Sequence, residues 1–546
     1  MPDSSKTVLI VGSGSAALVA AISAKESGLE PIVVESTAKI GGSSAMSGGG
    51  AWIPNNPLML KAGTPDSYED ARKYMDLTIG EVGPASSTER RETFLREGPK
   101  MVEWLQNLGM RFHYGKGYAD YYPELPGGSP RGCLVEPEPF DLKKLGSPWK
   151  DLINISLPIP VYTLDGVQIA LSFRSFKAFL NTANVIGIRT MGSLLLGKKL
   201  AGIGGALIGQ LVFLALQRNI PIWLNSPMIE LIHEKGIVQG AVVMKDGKRT
   251  EIRAKAVILA AGGFARNNEM RQKYHPHPIT TEWTVATAGD FGDAIRAGIA
   301  VGAETALMDD AWWGPCFIDS KGVSQFMIWE RSFPYSMIVD KSGKRFMNES
   351  ASYVDCGHWQ YERNDQVPAI PAYLIFDQHH HKYYPFGVGL PGAEPKEYFE
   401  SGMLTKADTL SELAQKIGVD PQGLEETVKK FNQNALMGKD PDFHRGDSAY
   451  DRIYSDPGVK PNPNLAPLTK PPFYSVKVWP GDLGTKGGLL TDEHARVLDK
   501  KGNPIPGLYA AGNSSASVMG HTYPGPGSTI GPAMVFGMIA GRHSAQ

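Results

Sequence analysis

The chain has 546 residues, 42% of them hydrophobic and 20% charged, with a formal net charge of −1. That length exceeds what one ordinary core organises, so two or more domains are expected. The near-neutral balance gives no electrostatic case for nucleic acid, and the separated Cys133, Cys316 and Cys356 indicate neither a disulfide framework nor a thiolate zinc site.

From the start, "TVLIVGSGSAALVAAISAKESGLEPIVVES" predicts a strand, a tight glycine turn, a helix and a second strand. Gly12 permits the turn and Gly14 lets a pyrophosphate approach the backbone. The helix N-terminus formed by Ser15, Ala16 and Ala17 offers free N–H groups and positive partial charge. Ala17 stands where a third glycine is usual. Glu35, with Ser36 after it, closes the second strand where an acid binds ribose hydroxyls. No signal peptide precedes this unit, so a cytoplasmic protein is expected.

"KIGGSSAMSGGGAWIPNN" follows at once. Its Gly42, Ser43, Ser44, Ser47, Gly48 and Gly49 let backbone pass close to a flat ring. "PGGSPR" at 126–131 matches a phosphate loop only in composition, lacking the GK[ST] ending. The stretch 191–217 reads as a buried helix before the strand "IPIWLN", and Lys198 and Lys199 argue against a spanning helix. The apolar, weakly patterned region from about Ile153 to Leu200 raises peripheral membrane contact as an alternative.

Further on, "AKAVILAAGGFARN" predicts a strand ending at Ala261 and Gly262, and "AGDFGDAIRAGIAVGAETA" a helix whose start (Asp290, Gly292, Asp293) approaches the same ligand. "DQHHHKYY" (His379–His381) reads as a solvated loop; adjacent histidines on a strand face opposite ways, so no metal site is expected. "GLYAAGNSS" supplies a third return, at Gly512 and Asn513. A chain coming back three times to one nucleotide suits extended FAD better than NAD. These stretches resemble the FAD-dependent fumarate reductase and succinate dehydrogenase flavoprotein superfamily. The residues give an α/β fold: a Rossmann-like FAD-binding domain over 1–312 and 480–546, with an inserted α+β catalytic domain over 313–479. Members that bind flavin covalently carry a histidine in the glycine-rich stretch; Ser43, Ser44 and Ala45 stand there here, so non-covalent FAD is implied.

Near the end, "HTYPGPGSTIGPAM" sets Tyr523 against a corner stiffened by Pro524 and Pro526 and left bare by Gly525 and Gly527, before a helix starting near Ser528 and Ile530. The Gly527 N–H and the Tyr523 hydroxyl are free to donate to one ligand oxygen. "GHTYPGPGSTIGPAM", "YADYYPELPGG", "ITTEWTV", "MDDAWWGP", "RFMNES" and "GDLGTKGG" resemble the 3-ketosteroid Δ1-dehydrogenases, from Thr7 to about Ala540. The resemblance implies a 3-ketosteroid substrate, C2 proton loss to Tyr353 aided by Tyr121, and C1 hydride transfer to FAD N5. It implies that Tyr523 and Gly527 hold the C3 oxygen; the electron acceptor, quinone-like or an artificial dye, is left unidentified by the sequence. Tyr122 competes with Tyr121 for its role, and Tyr335 is the fallback for Tyr353.

Tyr118, Phe326 and Trp329 are expected in the substrate pocket. Phe326, Trp329 and Phe333 make one wall bulkier than is usual in the resembled family, and the segment from about Leu157 to Leu200 is longer than in its shorter members. Both features would reshape the pocket for the ring-D end or side chain of a steroid. A Δ4-(5α)-dehydrogenase is the nearest rival reading. A fumarate reductase-like enzyme would need Arg331, Arg345 or His521 as carboxylate clamps, and a redox-inactive FAD scaffold is the rival from another class.

Overall fold

A computed structural model describes residues 4–155, 159–387 and 389–546. Leu157, the expected start of the long apolar segment, lies outside the described residues.

The opening unit folds as its sequence predicts: strand Thr7–Val11, helix Ser15–Glu26, strand Glu30–Val34. These strands sit inside a six-stranded sheet in the order Arg496–Leu498, Pro504–Ala510, Ala256–Leu259, Thr7–Val11, Glu30–Val34, Ile222–Trp223. All its pairs are parallel except the edge pair of Arg496–Leu498 with Pro504–Ala510. The nucleotide segments at 12–16, 261–262 and 512–513 thus leave neighbouring strands at one edge, outside their carboxyl ends, where ligands bind in such sheets. From Ser15 to Ala24 every residue of the first helix is buried, so it is apolar on all sides rather than amphipathic. It packs against helix Ile530–His543, to which Ser23 Oγ donates at the Met538 carbonyl (2.8 Å). Complete burial of Leu18, Val19 and Ile22 stabilises this layer by roughly 2 kcal/mol per side chain.

A second sheet is antiparallel throughout, in the order Ser324–Phe326, Ala311–Ile318, Phe473–Thr485, Ala372–Asp377, Ser336–Val339. The expected boundaries at 313 and 480 fall inside Ala311–Ile318 and Phe473–Thr485, which pair with each other. Helices Leu410–Ile417 and Pro421–Met437 cover one face through Leu413, Leu424, Val428 and Phe431.

Two local expectations are corrected. Within 191–217 only Ile203–Gln217 is a buried helix; before it come the short helix Gly192–Leu195, whose Leu194 and Leu195 are exposed, and the strand Leu200–Ala201. His379–His381 lie in helix Gln378–Tyr383, because the Asp377 carboxylate accepts from the His379 and His380 N–H groups and starts a helical turn. His380 and His381 are buried rather than solvated.

Candidate active site

A cavity of about 1210 Å³ runs from the nucleotide turn to the C-terminal corner. Every cofactor residue expected from the sequence lines it except Ala17 and Ser528. Ala17 is buried in the first helix, behind the turn. Ser528 closes the corner instead: its Oγ donates to the Gly525 carbonyl (2.7 Å) and accepts from the Gly525 N–H (3.0 Å). The following helix begins at Ile530, with Thr529 as its cap.

At the nucleotide end, Gly12 has φ +108° and a Cβ there would sit 2.3 Å from the Ala260 carbonyl oxygen, so only glycine fits. Glu35 is buried and accepts from Ser13 Oγ (2.6 Å), the Thr37 N–H (2.9 Å) and Thr37 Oγ1 (2.9 Å), which aims its carboxylate at the cavity edge. Asp290 and Asp293 line the same space, and Gly292 does not. Burial pushes the Asp290 carboxyl up to about 7. A Cβ on Gly42 would meet no protein atom within 4 Å, so its bare backbone faces the cavity. Strand-turn-helix, acid and bare glycine backbone together fit an extended dinucleotide. No histidine, cysteine or tyrosine stands between Ser36 and Gly49 to bond a flavin covalently.

At the other end tyrosines converge. Tyr121 stacks on Tyr523 (centroids 5.0 Å apart, 24°) and meets Tyr353 edge-on (5.5 Å), while Tyr353 lies 5.0 Å from Tyr523. All three are buried. They come from a loop after Phe112–Tyr114, the first turn of helix Tyr353–Asn364, and the C-terminal corner. The Tyr121 N–H donates to the Pro524 carbonyl (2.9 Å), as does the Tyr74 hydroxyl (2.5 Å), so loop and corner are tied. Asp120, which accepts from Trp52 Nε1 (2.9 Å) and the Ser129 N–H (2.9 Å), fixes the loop from below.

Burial and then the neighbouring Tyr523 push the Tyr353 phenol well above 10, and a hydrogen bond from Tyr121 pulls it back down. Burial raises Tyr523 as well; hydrogen bonds from Tyr353, from Thr529 and from the Gly527 N–H oppose it. The Gly527 N–H thus lies within hydrogen-bond reach of the Tyr523 phenol oxygen. Gly527 has φ +92°, and a Cβ there would lie 2.3 Å from the Gly50 carbonyl oxygen.

Of the two tyrosine pairs left open by the sequence, Tyr121 and Tyr353 line the cavity. Tyr122 does not line the cavity; its hydroxyl donates to Asp355 (3.0 Å). Tyr335 is stacked on His379 and also lies outside it. Tyr118, Phe326 and Trp329 line the cavity, with Phe326 edge-on to Tyr353 at 5.1 Å. Phe333 is buried against Tyr384 and forms no part of the wall. Arg331, Arg345 and His521 stay outside it too: Arg331 serves main-chain carbonyls, Arg345 pairs with Glu349 and Asp440, and His521 meets Asp310. Sequence reasoning missed Tyr454, whose hydroxyl hydrogen-bonds that of Tyr118 at 2.6 Å, and Tyr450, 4.1 Å from the Tyr121 ring. Neither lies in a stretch with a local signal.

A family model described as an FAD binding domain matches residues 7–530. A 3-oxosteroid 1-dehydrogenase of Mycobacterium tuberculosis is 46% identical over 98% of each chain. One from Mycolicibacterium smegmatis is 46% identical over 98% of this chain and 96% of its own. The crystal structure of 3-ketosteroid Δ1-dehydrogenase from Sterolibacterium denitrificans in complex with 1,4-androstadiene-3,17-dione superposes with a TM-score of 0.93 at 38% identity, covering 99% of this chain and 100% of that one. The chain belongs to the FAD-binding-domain flavoproteins and, within them, to the 3-oxosteroid 1-dehydrogenase family.

Proposed function

We propose that this protein is an FAD-dependent 3-ketosteroid Δ1-dehydrogenase that introduces a C1–C2 double bond into ring A. The observation that carries this reading is the meeting of three buried phenols and one main-chain N–H in the cavity that also holds the nucleotide fingerprint. Bound FAD supplies the acceptor for the C1 hydride. The protein's own part is acid–base and electrostatic. Tyr523 Oη–H and the Gly527 N–H donate to the C3 oxygen, where enolate charge gathers as the C2 proton leaves, so their hydrogen bonds strengthen in the transition state. Tyr353 Oη takes that proton, and Tyr121 donates to Tyr353 as negative charge develops on it. Phe326 and Trp329 cover the apolar rings and exclude water.

In the test, a 3-ketosteroid is added anaerobically to the holoenzyme. Bleaching of the flavin band near about 450 nm is expected; an unchanged spectrum rejects the reading. A saturated 3-ketosteroid that reduces the flavin to give only the 4-ene product would favour the Δ4-(5α) rival instead.

Residues 171–200 support a finer reading of its partners. Phe173, Phe176, Ile188, Leu195 and Leu196 are each more than 70% exposed. Every charged side chain between Gly166 and Ile229 is basic. Among the described residues Lys177 and Lys198 stand outside any ion pair. An apolar tip with a basic rim fits the surface of an anionic bilayer, where an apolar steroid and a quinone-like acceptor both dissolve. No described helix is long and apolar enough to cross a membrane. Holoenzyme should sediment with vesicles containing phosphatidylglycerol, and Leu195→Asp with Phe176→Asp should remain in the supernatant. Equal sedimentation of the variant rejects this contact.

A further inference from the structure

Asp310 precedes strand Ala311–Ile318 and is 3% exposed. Its Oδ1 accepts from the Ala311 N–H (2.8 Å) and meets His358 Nε2 (2.9 Å). Its Oδ2 meets His521 Nδ1 (2.9 Å) and the Lys486 ammonium (3.2 Å). Burial would raise this carboxyl, yet Lys486, His358 and His521 together hold it well below the usual carboxylate range. It is an ionised hub joining three stretches far apart in sequence.

Two of these stretches lead to the tyrosines of the proposed chemistry, and the third packs beside them. His358 lies on helix Tyr353–Asn364, whose first residue is Tyr353. His521 stands two residues before Tyr523. Lys486 is completely buried, with its ammonium 4.9 Å from the centre of the Trp312 ring. Trp312 in turn meets Tyr523 edge-on at 5.4 Å and donates from Nε1 to Asn513 (3.2 Å). Asp310, His358, His521 and Lys486 themselves do not line the cavity.

Proton abstraction at C2 and capture of charge at the adjoining C3 oxygen require two phenols from separate elements to hold a fixed spacing, since small misplacement costs rate steeply. We propose that Asp310 is the positioning residue that sets the spacing of Tyr353 and Tyr523, by tethering His358 on one element and His521 on the other. The inference rests on the roles assigned above to those two tyrosines.

The histidines provide the test, because their side chains are 29% and 43% exposed, so replacing them disturbs the core less than replacing the buried Asp310. His358→Leu and His521→Leu holoenzymes are mixed anaerobically with androst-4-ene-3,17-dione in stopped flow, then reoxidised with a dye. At saturating steroid each should reduce its flavin about tenfold more slowly or worse, with reoxidation unchanged. His358→Gln and His521→Gln keep an N–H donor and should recover to within about threefold of wild type. The double leucine variant should be no slower than the worse single one, because one broken tether already frees the spacing. Wild-type reduction in both leucine variants overturns the proposal, as does glutamine failing to rescue or an equal slowing of reoxidation. Tyr353→Phe in parallel separates the two levels. If it is disabled while the leucine variants are normal, only the positioning role fails. If it too reduces its flavin normally, the catalytic reading fails first.

Discussion

Tyr523→Phe removes one hydroxyl, together with the hydrogen bonds it accepts from Tyr353, Thr529 and the Gly527 N–H, and leaves the ring. The ring is held by Tyr121 at 5.0 Å, Tyr353 at 5.0 Å and Trp312 at 5.4 Å, and a phenyl group keeps all three contacts. The residue is 4% exposed, so no surface contact changes. On the proposed reading, one of two donors to the C3 oxygen disappears and the Gly527 N–H remains. Loss of one such preorganised donor costs about 10²–10³ in rate, roughly 2.7–4 kcal/mol of transition-state stabilisation. Because the ground-state carbonyl carries little charge, the same loss should weaken steroid binding by no more than about tenfold. The assay is anaerobic stopped-flow reduction of the Tyr523→Phe holoenzyme across a steroid concentration series, which separates the limiting rate from the dissociation constant. A limiting rate within about threefold of wild type would refute the enolate-capture reasoning. So would a variant affected only in binding.

Other expectations follow from the same site. Since the Tyr353 phenol lies well above 10, its base form is scarce at neutral pH and grows about tenfold per pH unit. Flavin reduction should therefore accelerate from about pH 6 to 9; a rate that falls with rising pH would contradict Tyr353 as the base. Tyr121→Phe removes the hydrogen bond that lowers that pKa, so the rise should move to higher pH, and an unshifted profile would exclude its assisting role. Gly527→Ala sets a Cβ 2.3 Å from the Gly50 carbonyl oxygen at φ +92°, which displaces the donor N–H. Flavin reduction should drop by about 10² or more while FAD stays bound, and unimpaired turnover would remove Gly527 from the oxyanion site.

The βαβ unit at Thr7–Val34 was legible because each of its devices is local: an apolar strand, glycines that permit one turn, and an acid at the end of the second strand. The corner at 521–534 was legible for a similar reason, since closely spaced prolines and glycines constrain their own backbone. The helix over His379–His381 also had a local signal, Asp377 at the N-cap, which outweighs the polar character of the histidine run. Between Phe173 and Leu196, by contrast, local pattern could not say which apolar side chains find a partner, and many of them face outward.

Local sequence thus determined the nucleotide turn, the strand-end returns at 261–262 and 512–513, and the rigid corner beside Tyr523, because hydrogen bonding and dihedral preference act over a few residues. Only the tertiary structure showed that Tyr121 and Tyr353 line the cavity while Tyr122 and Tyr335 do not, and only it brought in Tyr450, Tyr454 and the Asp310 hub. Those choices depend on which side chains meet after elements far apart in the chain have packed, and adjacent tyrosines in a loop carry no local mark of the direction each will face.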